Sequence, residues 1–175
     1  MHILFAGGGT AGHINPALAV ADYLKENISD IKISYIGTER GMESRLVPNA
    51  GYDFYTIDVA GFQRKLSPQN IKKNLIAVKK VFSSSREAKR LLKDLKPDIV
   101  VGTGGYVSGP VLREAEKQGI KTAIHEQNAF PGVTTKMLAS KVDAVMLAMP
   151  QAEQYLKIKG SAIVTGNPIR QSLLT

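Results

Sequence analysis

Short apolar runs alternate with longer stretches of helical spacing along this 175-residue chain. Residues 2–6 lead into Gly7-Gly8-Gly9-Thr10-Ala11-Gly12-His13, and helical spacing then continues to about Asn27. That order predicts strand, glycine turn and helix. Pro16 is expected in the helix's first turn, where a missing N–H does no harm. Strands are predicted at Lys32–Ile36 and Asp53–Val59, with a loop at 37–41 and a short helix between them, punctuated by Pro48-Asn49-Ala50-Gly51. Asp98 to Val101 has the continuous apolar run of a buried parallel strand. It enters a second glycine loop, 102–109, before a helix from Pro110 to Gln118. Further strands at 121–124, 143–147 and 162–165 are separated by helices at about 131–140 and 151–156. The regular alternation predicts an α/β fold, a Rossmann-like parallel sheet of about seven strands with helices on both faces.

Residues 69–95 are helical in pattern but change face. Ile71, Leu75, Val78 and Phe82 form one stripe, flanked by Lys72, Lys73, Lys79 and Lys80. Beyond Ser83-Ser84-Ser85, the stripe Ala88, Leu91, Leu92 and Leu95 is rotated by about a quarter turn. Ser84 and Glu87 have capping-box spacing. The pattern predicts two helices with a break near the serines, the second packing on the sheet.

The length suits one domain with a real core. The chain has no cysteine, which excludes a disulfide framework and a thiolate metal site. It opens directly into a strand, with no basic leader, and no apolar run approaches the roughly 18 residues of a membrane helix. The net charge of +8 is concentrated: 11 of the 23 Lys and Arg lie between Arg64 and Lys96, against Glu87 and Asp94 alone. A local basic face points to anionic lipid, nucleic acid or a phosphorylated ligand, or is a solvated helix face.

Ligands of open parallel sheets bind at the carboxyl ends of the strands. The polar clusters of this chain fall there: Gly7 to His13, Glu39-Arg40, the 102–109 loop, His125 to Asn128, and Asn167 with Arg170. Glycines admit a ligand close to the backbone, and the free N–H groups of a helix start favour phosphate. His13 is a candidate general base or a turn residue. His125 follows a buried strand and reads as structural. Glu126 and Asn128 either bind sugar hydroxyls or tie their loop together. Tyr106 either stacks on a ring or closes its loop. Three scattered histidines do not have metal-ligand spacing. Gly7, Gly9 and Gly12 spell G-x-G-x-x-G, and Glu39 stands where a ribose-binding acid would be, so an NAD-type oxidoreductase domain is the alternative. The second glycine loop and the histidine directly after Gly12 speak against it.

Four motifs in register, Gly-Gly-Thr-Ala-Gly-His at 8–13, Gly-Gly-Tyr-Val-Ser-Gly-Pro at 104–110, His-Glu-Gln-Asn at 125–128 and Gly-Asn-Pro-Ile-Arg at 166–170, closely resemble the MurG family. These are the bacterial N-acetylglucosaminyl transferases that make lipid II for peptidoglycan. Ala11 stands where many members have glycine. The resemblance implies the N-terminal half of a glycosyltransferase B-type fold. Residues 1–165 would be the acceptor-binding domain and 166–175 the start of a linker to a donor-binding domain beyond, leaving this chain inactive alone. It implies inverting transfer of GlcNAc from UDP-N-acetylglucosamine (UDP-GlcNAc) to the 4-hydroxyl of MurNAc in lipid I, undecaprenyl-pyrophosphoryl-MurNAc-pentapeptide, with His13 as first choice of base. The implied substrate-binding residues are Gly9, Thr10, Ala11, Gly12, Gly104, Gly105, Tyr106, Ser108, Glu126, Gln127, Asn128, Asn167 and Arg170. No metal, cofactor or nucleic acid is implied. Because lipid I lies in the cytoplasmic leaflet, Ile71, Lys72, Leu75, Val78, Lys79 and Phe82 become a candidate membrane face, placing the protein peripherally on the cytoplasmic side of the cell membrane.

Overall fold

The computed structural model describes residues 1–59 and 83–170. The strands are β1 His2–Gly7, β2 Lys32–Gly37, β3 Asp53–Thr56, β4 Ile99–Gly104, β5 Lys121–Glu126, β6 Ala144–Leu147 and β7 Ser161–Val164. They form one seven-stranded sheet in the order β3-β2-β1-β4-β5-β6-β7, with every neighbouring pair parallel. This is the expected α/β arrangement. The chain begins in the middle of the sheet and builds outward in both directions.

The helices are α1 Ala11–Asn27, α2 Glu43–Asn49, α3 over 83–95, α4 Gly105–Lys117 and α5 Val133–Leu138, with a 3-10 turn at Pro150–Tyr155. One face of the sheet is covered by α1 and α2, packing Ile14, Leu18 and Val47 on Phe5 and Tyr35. The other is covered by α3, α4 and α5, packing Leu92, Val111, Leu112 and Leu138 on Leu4, Ile36 and Ile124. Each such fully buried side chain stabilises the fold by about 1.5–3 kcal/mol. Strand starts are pinned by aspartates: Asp98 accepts from His2 N–H at 2.6 Å, and Asp143 from Thr122 N–H at 2.8 Å. At the far edge all four residues of β7 are exposed.

Several boundaries differ from expectation. Pro16 lies inside α1, because the helix already starts at Ala11. Lacking an N–H, Pro16 leaves the carbonyl of Gly12 without its helical partner. The strand predicted over 53–59 ends at Thr56. The second glycine loop is much shorter than 102–109: β4 runs to Gly104 and α4 begins at Gly105. Gly104 has φ +107, a conformation that turns strand into helix without intervening loop. Tyr106 and Ser108 therefore belong to a helical first turn. Glu87 accepts the N–H of Asp58 at 2.8 Å, tying α3 to the end of β3. Its expected partner was the helix start at Ser84, but residue 83 is already helical. The proposed break lies at this boundary, and the basic stripe with Ile71, Lys72, Leu75, Val78, Lys79 and Phe82 lies outside the described residues.

Candidate functional site

The site is assembled where β1 and β4 end side by side. The register runs from Ile3 with Ile99 to Ala6 with Gly102, then shifts so that Gly7 faces Gly104, leaving Thr103 as an extra residue. β1 enters α1 through the short turn Gly8-Gly9-Thr10 and β4 enters α4 directly, so the N-termini of α1 and α4 open on the same edge. The leading N–H groups of a helix have no internal partner, and they concentrate positive potential there. Thr10 caps α1 in extended conformation without using its side chain as a cap.

The two glycine segments pack on each other as well as facing the edge. A side chain on Gly105 would run into the carbonyl of Gly8, and one on Gly104 would stand 2.6 Å from Cδ2 and 2.9 Å from Nε2 of His13. Glycine is required here by close approach as much as by φ. The imidazole thus lies over the start of α4, held from below by α1.

His13 Nδ1 lies 3.0 Å from the Gly8 carbonyl oxygen and 3.4 Å from Thr10 Oγ1. A carbonyl only accepts, so Nδ1 carries the hydrogen and the neutral ring keeps a bare lone pair on Nε2. That nitrogen is the one beside Gly104. A lone pair there can accept a hydrogen bond or a proton from a hydroxyl placed beside it.

Ser108 is fully buried and donates its hydroxyl to the Ala6 carbonyl at 2.7 Å, while accepting Gly104 N–H at 3.1 Å. It stitches α4 to both central strands and presents nothing to a ligand. Tyr106, in the same turn, is 54% exposed and faces solvent beside the site.

His125 and Glu126 lie within β5, which runs to Glu126. Burial, the main influence, holds the His125 ring below its ordinary value of 6.5. Its Nε2–H donates to the Gly166 carbonyl at 3.0 Å, so the bond made by this structural histidine reaches the chain after β7. Gln127 donates to the Thr103 carbonyl at 2.9 Å, binding this loop to the end of β4. Buried Glu126 accepts from Asn128 N–H at 3.0 Å, Asn128 Nδ2 at 2.9 Å and Gly132 N–H at 3.0 Å. Its carboxylate is spent on the loop. Asn128 is exposed, and with Nδ2 engaged it offers its amide oxygen as an acceptor.

A cleft of about 230 Å³ lies between the first turns of α1 and the segment after β7, lined by Ala11, Gly12, Asn15, Asn167 and Arg170 among others. Arg170 Nε donates to Asp22 at 3.0 Å, two and more turns down α1, and Asp22 also accepts the Tyr52 hydroxyl at 2.7 Å. The guanidinium thus borders the cleft while tied away from the glycine turn. Among the described residues no group of three His, Cys, Asp or Glu is placed to hold a metal ion, and no helix is long and apolar enough to cross a membrane.

One residue of the site is not singled out by the sequence. Glu43, at the start of α2, is fully buried. Its carboxylate accepts from Gly9 N–H at 3.0 Å, Thr38 N–H at 3.0 Å and the Thr38 hydroxyl at 2.7 Å. Burial alone would push its pKa up, but these donors outweigh it and hold the carboxyl below its usual value. Side chains on Gly8, Gly37 or Gly41 would collide with it, so three glycines clear its space. Gly37 and Gly41 shortly precede Glu43 in sequence, and they are the one local signal of its burial.

Glu43 also decides against the dinucleotide alternative. There Gly9 would offer its N–H to a pyrophosphate and Glu39 would meet a ribose. Instead the Gly9 N–H is taken by Glu43, and Glu39 is on an exposed loop.

A parallel sheet in this order, with helices on both faces and two helix starts at one edge beside a cleft, defines a Rossmann-like α/β domain with its ligand site at the carboxyl ends of the strands. The model of the glycosyltransferase family 28 N-terminal domain matches residues 3–147, and the chain belongs to that family. The UDP-N-acetylglucosamine--N-acetylmuramyl-(pentapeptide) pyrophosphoryl-undecaprenol N-acetylglucosamine transferase of Acetivibrio thermocellus is 52% identical over 99% of this chain and 46% of its own length. The transferase of the same name from Lactococcus lactis is 49% identical, over 99% of this chain and 47% of its own. The crystal structure of Acinetobacter baumannii MurG superposes with TM-score 0.76 at 36% identity, covering 98% of this chain and 46% of that one. The UDP-GlcNAc 2-epimerase of Neisseria meningitidis shares the fold at 17% identity and TM-score 0.63, covering 96% of this chain and 47% of that one. The chain spans about half the length of the curated relatives it matches.

Proposed function

We propose that this chain is the acceptor-side half of an inverting transferase that moves GlcNAc from UDP-GlcNAc to the 4-hydroxyl of MurNAc in lipid I, giving lipid II. The observation that carries the reading is the bare Nε2 of His13, aimed at the junction of α1 and α4 in a chain about half identical to transferases of that name. In the reaction Nε2 takes the proton of the acceptor hydroxyl as its oxygen attacks the anomeric carbon. The bond to the UDP oxygen breaks with inversion, and UDP leaves with the electron pair. The N–H groups of Ala11 and Gly12 at the α1 terminus face the charge that develops on the leaving diphosphate. Asn128 accepts from a sugar hydroxyl. Asn167 and Arg170 close the same cleft from the chain after β7, and Tyr106 borders the acceptor. Gly9, Gly104, Gly105, Ser108, Glu126 and Gln127 serve by holding the loops in place.

The donor site lies mainly in a second half joined through 166–175. The acceptor half meets the cytoplasmic membrane surface peripherally, through the basic stripe at 71–82 and neighbouring apolar side chains. Phe130, Val133 and Met137, exposed at 73%, 63% and 65% on and before α5, support a membrane-facing side. The test is transfer of labelled GlcNAc to a lipid I analogue by the full-length enzyme and its His13→Ala variant. Loss of about 10²-fold or more in kcat is expected for a missing general base. Near-normal turnover would remove His13 from that role.

A further inference from the structure

Glu43 and His13 grip opposite ends of one peptide group. The N–H of Gly9 and the C=O of Gly8 belong to the same planar unit. The carboxylate of Glu43 accepts the N–H at 3.0 Å, and the C=O accepts Nδ1–H of His13 at 3.0 Å. We propose that Glu43 is a positioning residue of the transferase site, acting on His13 through the Gly8–Gly9 peptide. This rests on the function proposed above, and it adds a group that does not touch substrate.

The physical case has three parts. A fully buried carboxylate that accepts two backbone N–H groups and a hydroxyl stays anionic, and its field is weakly screened. That anion polarises the Gly8–Gly9 peptide, leaving its carbonyl a stronger acceptor for Nδ1–H. A stronger acceptor at Nδ1 locks the tautomer and the orientation of the ring, which is the role of the aspartate behind a catalytic histidine. Here one peptide group stands between carboxylate and ring. The Gly8 carbonyl lies so close to Gly105 that no side chain fits between them, and the two hydrogen bonds hold the peptide from both ends.

Charge, not shape alone, is required. The two carboxylate oxygens each meet donors: Oε2 meets Gly9, and Oε1 meets Thr38. A glutamine has one acceptor oxygen and one NH2, so one of these donors would face another donor. Of other titratable groups, Tyr35 senses the Glu43 charge, its hydroxyl being pushed above its ordinary value first by burial and further by that anion. The neighbours of the His13 ring, Gly8, Thr10 and Gly104, are not titratable.

The experiment uses the full-length enzyme, 15N-labelled at histidine and glycine. Glu43→Gln is expected to reduce the share of the Nδ1–H tautomer of His13, read from the imidazole 15N shifts, and to lower kcat by about tenfold, while KM for UDP-GlcNAc stays within about twofold. Thr38→Val keeps both the charge and the Gly9 contact, and is expected to leave the tautomer and kcat as they are in wild type. A His13 tautomer and a kcat in folded Glu43→Gln equal to those of wild type overturn the proposal. If Glu43→Gln does not fold, wild type decides: neutral His13 must be the Nδ1–H tautomer and the Gly9 amide must be protected from exchange. The Nε2–H tautomer, or a freely exchanging Gly9 amide, overturns it. A wild-type enzyme that transfers no GlcNAc refutes the proposed function instead, and the tautomer of His13 still reports on the link to Glu43.

Discussion

Replacing Gly104 by alanine perturbs one methyl group at the point where β4 becomes α4. Two separable effects follow. Gly104 has φ +107, and a residue with a Cβ in such a conformation is strained by about 1–3 kcal/mol. For a chain of this size that lowers Tm by about 2–12 °C. The new methyl would also lie 2.6 Å from His13 Cδ2 and 2.9 Å from Nε2. Restoring ordinary contact near 3.5 Å requires the ring to shift by close to 1 Å. A misplacement of about 1 Å at a reacting group lowers the rate by about 10²-fold. The ring is the mobile partner, because Gly104 is fixed by its N–H to Ser108 at 3.1 Å. The assay is GlcNAc transfer by the full-length enzyme beside a thermal melt, with Gly109→Ala as control. Gly109 lies inside α4, where a Cβ meets Thr134 Cγ2 at an ordinary 3.9 Å. The control should be neutral or slightly stabilising. Equal transfer rates for the two variants would refute the placement of His13 over Gly104.

Two further outcomes follow from buried groups. Ser108→Ala strands Gly104 N–H and the Ala6 carbonyl, and should lower stability by about 1–3 kcal/mol, read as a drop in melting temperature. His2 and His125 are both held below 6.5, burial being the leading cause in each. With folded values depressed, the unfolded chain binds more protons just below pH 6.5. Their contribution is therefore present above that pH and lost as pH falls through it toward the folded values. A melting temperature that stays flat on acidification from about pH 7 to about pH 5.5 would contradict this.

The alternation of strands and helices was legible because the parallel strands are buried on both faces and stand out as unbroken apolar runs. The convergence of polar clusters at one edge followed from it. The 102–109 segment misled because Gly104, Gly105, Ser108 and Gly109 have loop composition. Gly104 supplies the left-handed step and Ser108 the tertiary bonds that let a helix begin at once. Glu43 was hidden for a different reason. An acid at a helix start reads as a surface group that complements the dipole, and its burial depends on Gly8 arriving from 35 residues earlier in the chain. Arg170 was legible as a cleft residue, whereas its pairing with Asp22 spans 148 positions and leaves no local trace.

The strand order carries a consequence for how the chain is made. β1 sits between β2 and β4, both of which follow it in the chain, and β4 begins only at Ile99. At about 5–20 residues per second, translation leaves one side of β1 unpaired for about 5–20 seconds while β2 and β3 are already available on the other. The nascent half-sheet exposes a flat apolar ribbon, Ile3-Leu4-Phe5, whose open edge templates pairing with other chains until β4 arrives. The same residues that place both helix starts at one edge therefore make early folding the stage at which the chain is most vulnerable to misassembly and most dependent on holding factors.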